Sequence, residues 1–152
     1  MQIVLVEPEI PPNTGNVARL CAATGTVLHL IEPLGFKLDD AKLKRAGMDY
    51  WKLVQWKCWP NWAAFASRAL PTARLWFIES GGPRLYTEVH FKPEDYLVFG
   101  RETAGLPKAL LESDRENWLQ IPMFTPEARS LNLSNCVAIV LFEALRQQGF
   151  RA

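Results

Sequence analysis

Five short apolar runs without polar alternation punctuate the chain: Gln2 to Val6, Val27 to Ile31, Leu75 to Ile78, Tyr96 to Phe99 and Trp118 to Ile121. Runs of this kind, bounded by Gly, Pro or charged residues, predict strands covered on both faces, as in a parallel sheet. Between the first two lies a turn-rich segment, Pro8 to Gly15. Val17 to Ala23 follows, helical in composition, with Gly25 suited to the position just past a helix end. That is a βαβ unit, and its rhythm predicts an α/β fold with a mostly parallel sheet and helices on both faces. Asp39 to Ala46 reads as a short helix capped by Asp39 or Asp40 and stopped by Gly47. Trp62 to Leu70 reads as another, after Pro60 and Asn61. In the final helix Val137, Val140, Leu141, Ala144 and Leu145 recur at i, i+3, i+4, i+7 and i+8, which predicts one buried face.

No repeat, linker or composition break divides the chain, so residues 1–152 are expected to form one domain. A composition 49% hydrophobic and 22% charged excludes a disordered tail or a low-complexity segment. No apolar run approaches the roughly 20 residues that cross a bilayer, and Met1 to Glu7 lacks the basic start of a secretory leader. A cytoplasmic protein with no membrane span is expected. The net charge of +1 names no partner. Cys21, Cys58 and Cys136 are too far apart for a Cys-x-x-Cys clip, and His29 and His90 are the only histidines, so free thiols and no metal are expected.

In an open parallel sheet ligands bind beyond the carboxyl ends of the strands, which directs attention to three loops. The first, Glu7 to Asn16, carries three prolines and opens a helix with Arg19 one turn in. An Arg there opposes the helix dipole unless it meets an anion, while Asn13 or Asn16 as a cap and Gly15 as a turn are the plainer reading. The second runs from Gly100 to Pro107, where two glycines permit close backbone approach and Pro107 suits the start of a helix; a turn with a solvated Arg101–Glu102 pair explains it equally. The third, Pro122 to Asn135, crowds Ser130, Asn132, Ser134 and Asn135 before the last helix, although one cap needs only one such residue. No Gly-x-Gly-x-x-Gly, P-loop or Gly-x-Ser-x-Gly motif is present. Between Lys37 and Trp62, bases and tryptophans interleave; Trp51, Trp56, Trp59 and Trp62 are open to a core, a subunit-interface or an RNA-stacking role.

Taken together, Asn13-Thr14-Gly15-Asn16-x-x-Arg19, Phe99-Gly100-x-Glu102-x-x-Gly105-Leu106-Pro107, and Ile121-Pro122-Met123 with Ser130 to Asn135 resemble the three motifs of the SPOUT RNA methyltransferases. Their order and spacing span nearly the whole chain, and the absence of an added RNA-binding domain is similar to the minimal TrmL group. The resemblance implies a deep C-terminal trefoil knot, against the general rule that folds are unknotted. It also implies a homodimer and transfer of a methyl group from S-adenosylmethionine to the ribose 2′-hydroxyl of the wobble nucleotide, position 34 of tRNA, a cytidine or modified uridine, in leucine isoacceptors. By carry-over, Ile78, Gly100, Ile121, Met123, Ser130 and Leu131 would enclose the cofactor. Arg19 would approach the acceptor ribose, with Asn16, Glu102, Ser134 and Asn135 shaping that pocket or bracing the motif loops. Lys42, Lys44 and Arg45 are the expected contacts to the anticodon stem-loop. The alternatives are another tRNA or rRNA position, or a noncatalytic RNA-binding homodimer.

Overall fold

The computed structural model describes residues 1–39, 41, 50–69 and 73–150. Among them the elements run β1 (Gln2–Val6), α1 (Pro11–Thr24), β2 (Val27–Ile31), β3 (Trp56–Trp59), α2 (Trp62–Ala66), β4 (Leu75–Ile78) and β5 (Arg84–Leu85). They continue with β6 (Tyr96–Phe99), α3 (Lys108–Ser113), β7 (Trp118–Gln120) and α4 (Leu133–Gln147). The strands form one sheet in the order β3-β2-β1-β6-β4-β7-β5, and every pairing in it is parallel. After β3 the chain crosses to the other side of β1, so the winding reverses there, the position at which open α/β sheets bind ligands.

Both faces of the sheet are covered, which is why the strands read as continuous apolar runs. On one face Ile3, Leu5, Leu28 and Leu30 meet Val17, Ala18 and Cys21 of α1 and Val137, Val140, Leu141 and Ala144 of α4. On the other, Val4, Val6, Ile31 and Phe77 meet Phe65 of α2 and Leu111 of α3. The alternation within β1, from Ile3 to Val6, divides its side chains between these two layers.

The structure corrects several expectations. Helix α1 begins at Pro11, with Ile10 as its N-cap, and Gly15 lies inside it instead of in a turn. Prolines fit the first two helical positions because those N–H groups have no intrahelical partner. Neither Asn13 nor Asn16 caps the helix, and Arg19 sits eight residues beyond its start, so the macrodipole argument for Arg19 falls away. Gly25, at φ 66°, ends the helix as expected. Helix α2 stops at Ala66, not Leu70, and β7 stops at Gln120, one residue short of Ile121. Strands β3 and β5 had no counterpart in the sequence reading. Most of the expected Asp39–Ala46 helix, together with Lys42, Lys44 and Arg45, lies outside the described residues.

The tryptophans divide between roles. Trp59 and Trp62 pack around buried Phe65, at ring separations of 5.8 and 5.3 Å. Trp51 and Trp56 meet edge to face at 5.0 Å, and Trp56 stays 39% exposed on the edge strand β3. His29 is a satisfied core residue: its Nδ1 accepts from Trp59 Nε1 at 3.0 Å, which leaves Nε2 to donate to Gln2 Oε1 at 2.7 Å. Burial, helped by the charge of Lys57, pushes its pKa down from 6.5 to about 4. The Cys21 thiol is buried, and desolvation pushes its pKa up to about 12, so it stays protonated.

Candidate active site

A cleft of about 480 Å³ opens at the carboxyl ends of β4, β6 and β7 and against the start of α4. All six residues expected to hold a cofactor, Ile78, Gly100, Ile121, Met123, Ser130 and Leu131, line it, as does Glu102. Its floor is the end of the sheet, where buried Ile78 and Phe99 supply apolar surface. The wall from Gly100 to Gly105 exists because neither glycine has a side chain. A Cβ on Gly100 would stand 2.2 Å from the Gly105 carbonyl carbon, and one on Gly105 would stand 2.0 Å from a Glu79 carboxylate oxygen. Gly105 also holds φ +65°, which L side chains rarely adopt. The two glycines therefore let the β6 loop close on itself and against Glu79 at the wall of the cleft.

The loops are joined by side chains acting on backbone. Glu79 accepts from the Ser80 N–H at 2.8 Å and from the Leu106 N–H at 2.9 Å, tying the β4 loop to the β6 loop. Glu102 accepts from the N–H groups of Glu9 and Ile10 at 2.8 and 3.1 Å, and from Asn13 Nδ2 at 3.1 Å. Thus a carboxylate from the β6 loop satisfies donors at the start of α1, where no local side chain caps them. Thr103 donates to Glu9 through its N–H and hydroxyl, at 3.1 and 2.7 Å, and these bonds hold the Glu9 carboxyl below its usual pKa. Arg101 pairs with Glu7, so the solvated Arg101–Glu102 pair is replaced by two contacts to the β1 loop.

Asn13 carries the connection to the third loop. Its Oδ1 accepts from Asn132 Nδ2 at 2.9 Å, while Asn132 Oδ1 accepts from the Ser134 N–H at 2.9 Å and hydroxyl at 2.7 Å. Asn132 is thereby both the N-cap of α4 and the last link of a relay, Glu102–Asn13–Asn132, that spans all three motif loops. Ser134 has its hydroxyl committed to that cap. Asn13, Asn132 and Glu79 were not singled out as site residues from sequence. The first two stood inside the motifs, whereas Glu79 gave no signal beyond following a strand.

Four expected catalytic residues do not line the cleft: Arg19, Asn16, Ser134 and Asn135. Asn16 and Arg19 are exposed on α1, three and six residues past the cleft-lining Asn13. At 100° and 1.5 Å per residue, Arg19 is rotated roughly 120° from Asn13 and displaced about 9 Å along the axis. Its guanidinium lies over the Tyr50 ring, 5.0 Å from the centroid. Cys136 does border the cleft; desolvation and the neighbouring Glu79 push its thiol up to about 11, so it stays protonated. Among the described residues no group of three or more His, Cys, Asp or Glu is placed to hold a metal ion, and no helix is long and apolar enough to cross a membrane.

A parallel sheet with a cleft at the carboxyl ends of β4, β6 and β7, lined from all three motif loops, is a ligand-binding α/β arrangement, and the comparisons specify which. The chain belongs to the SpoU rRNA methylase family, whose model matches residues 1–142. The tRNA (cytidine(34)-2′-O)-methyltransferase of Saccharophagus degradans is 52% identical over 149 residues, covering 97% of this chain and 96% of the relative. The protein of the same name from Burkholderia pseudomallei is 53% identical over 150 residues, with 97% and 96% covered. A solved structure described as giving insight into 2′-OH methylation of C/U34 on tRNA superposes with TM-score 0.93 at 46% identity, covering 99% of this chain and 97% of that one. The fold is shared by the SpoU methyltransferase AviRb of Streptomyces viridochromogenes, solved with AdoMet, at TM-score 0.83 and 23% identity, covering 99% of this chain and 61% of that one.

Proposed function

We propose that this protein transfers a methyl group from S-adenosylmethionine to the ribose 2′-hydroxyl of nucleotide 34, cytidine or uridine, in tRNA of leucine isoacceptors. The observation that carries the reading is the meeting, at one cleft, of every residue the SPOUT motifs assign to the cofactor. Relatives about half identical over nearly their full length, named for that reaction, support it.

The cleft suits the cofactor in size and in chemistry. Ligand pockets run from about 300 to 1,000 Å³, and this one sets apolar Ile78, Phe99, Ile121 and Leu131 beside the glycine-bearing β6 loop. Ile78, Ile121 and Leu131 would cover an adenine, with the backbone at Gly100 and Met123 and the Ser130 side chain available to its polar edge. When bound, S-adenosylmethionine supplies an electrophilic methyl group on a sulfonium. The chain's task is then alignment of the acceptor oxygen and relief of the charge that develops as its proton leaves.

Arg19 is the donor for that oxygen or its adjoining phosphate. A guanidinium with a pKa above about 12 donates and does not act as a base. Because Arg19 stands outside the cleft of its own chain, a homodimer supplies it most directly, α1 of one subunit facing the cleft of the other. The exposed Phe142 on α4, the helix packed beside α1, provides apolar surface for such a contact. Asn16 and Asn135 shape the acceptor pocket across the subunit boundary, Glu102 and Ser134 brace the loops that form it, and Lys42, Lys44 and Arg45 grip the anticodon stem-loop phosphates. The chain works as one domain in the cytoplasm, with the loops at 100–107 and 121–132 and the terminal helix forming a deep trefoil knot. Support for the knot comes from family membership and from α4 returning across β6 after β7.

The test is transfer of labelled methyl from S-adenosylmethionine to unmodified tRNA by the purified protein, followed by nuclease mapping. Label on the 2′-oxygen of nucleotide 34 is the expected result. Label at another position replaces the substrate, and neither label nor cofactor binding overturns the reading.

A further inference from the structure

Beside the cleft lies a second hollow of about 330 Å³, which shares Ser80, Ile121, Met123 and Arg129 with it. On its rim Phe124 is 92% exposed, the most exposed of the large apolar side chains described. Full exposure of a Phe costs solubility and gains nothing in packing, so one held beside a ligand cleft invites a partner with an aromatic face. Arg129 is exposed as well, borders both hollows, and has no ion-pair partner among the described residues. An aromatic face beside an exposed guanidinium is the combination that stacks a base and holds its phosphate.

We infer that Phe124 is a stacking platform for a nucleotide flanking the methylated one, with Arg129 contacting the intervening phosphate. The inference rests on the RNA-methylating reading above. Continuity of the two hollows sets the geometry: an acceptor ribose at the cleft places its chain neighbour over the adjoining hollow. A single-stranded anticodon loop is the suitable occupant, because its bases can be splayed out one at a time. The Phe face is sequence-tolerant, so it would set the position of the strand without selecting the neighbouring base.

The test uses the full-length protein, an anticodon stem-loop RNA with 2-aminopurine placed on either side of nucleotide 34, and the variants Phe124→Ala, Phe124→Leu and Phe124→Trp. Wild type should quench one of the two probes. Phe124→Ala and Phe124→Leu should lose the quenching and raise the KM for RNA by about fivefold to a hundredfold, while Phe124→Trp retains both. Cofactor Kd, measured by calorimetry, should stay within twofold and shows that each variant is folded. Unchanged quenching and KM in Phe124→Ala overturn the platform. A parallel rise in cofactor Kd also overturns it, because the hollow would then belong to the cofactor. Wild type that neither methylates tRNA nor quenches either probe overturns the RNA-methylating reading and this inference together, whereas methylation without quenching overturns the inference alone.

Discussion

At the residue scale, two positions bear on the chemistry from opposite directions. Gly105 is fixed by backbone: its left-handed φ strains any side chain, and an added Cβ would push aside the Glu79 carboxylate that ties the Ser80 and Leu106 N–H groups. Gly105→Ala should cost about 2–4 kcal/mol of stability and weaken cofactor binding, as urea unfolding and calorimetry would register. Among the described residues Arg19 makes a ring contact with Tyr50 on an exposed helix face. Arg19→Ala should abolish turnover while cofactor Kd stays within a few-fold; a large loss of cofactor binding would remove its assigned role. Arg19→Lys should rescue poorly in the same assay, since a point charge does not replace a planar fork.

Among the elements, the legible and the illegible parts of the fold separate for physical reasons. Strands β1, β2, β4 and β6 could be read because burial on both faces leaves unbroken apolar runs. Strand β3 could not, since an edge position lets Trp56, Lys57 and Cys58 stay exposed and blurs the pattern. Residues Arg84–Leu85 of β5 are too few to carry one. The start of α1 was misread because Pro11 and Pro12 signal a turn in isolation, and only the Glu102 carboxylate, 89 residues from Asn13, reveals what satisfies the helix end. Sequence motifs therefore located the cleft, whereas the relay through Asn13 and Asn132 is a tertiary fact. The same scale carries a pH dependence, through the link between β1, β2 and β3 at His29. Protonation of Nδ1 would break the bond from Trp59, and the folded pKa near 4 lies below the unfolded value of 6.5. The unfolded chain therefore binds the proton first as pH falls. Stability from this residue is whole above about pH 6.5 and declines toward pH 4, by on the order of 2 kcal/mol. Urea midpoints at pH 7.5 and 4.5 should show that decline, and His29→Gln should lose its share of the slope.

For the whole molecule, the proposed homodimer would make oligomerisation a catalytic matter, because Arg19 does not line the cleft of its own chain. Two inactive variants, Arg19→Ala and Leu131→Glu, provide the check: the first keeps its cleft and the second keeps its outward arginine. Subunits unfolded and refolded together in equal amounts should recover about a quarter of wild-type turnover, because half the dimers are mixed and each has one intact site. No recovery, with mixed dimers present by mass, would place Arg19 and the cleft in the same subunit.

The relay from Glu102 through Asn13 to Asn132 also has a temporal side. Ribosomes deliver the chain from the amino end, and all the strands have been made once Gln120 is out. At that moment Asn13 lacks its third-loop partner, the cleft lacks the wall from Arg129 to Leu133, and Ile3 and Leu5 have α1 but not α4 packed over them. A nascent chain released to Gln120 thus holds every described strand segment but an incomplete cleft, whose last wall comes only with residues 129–133.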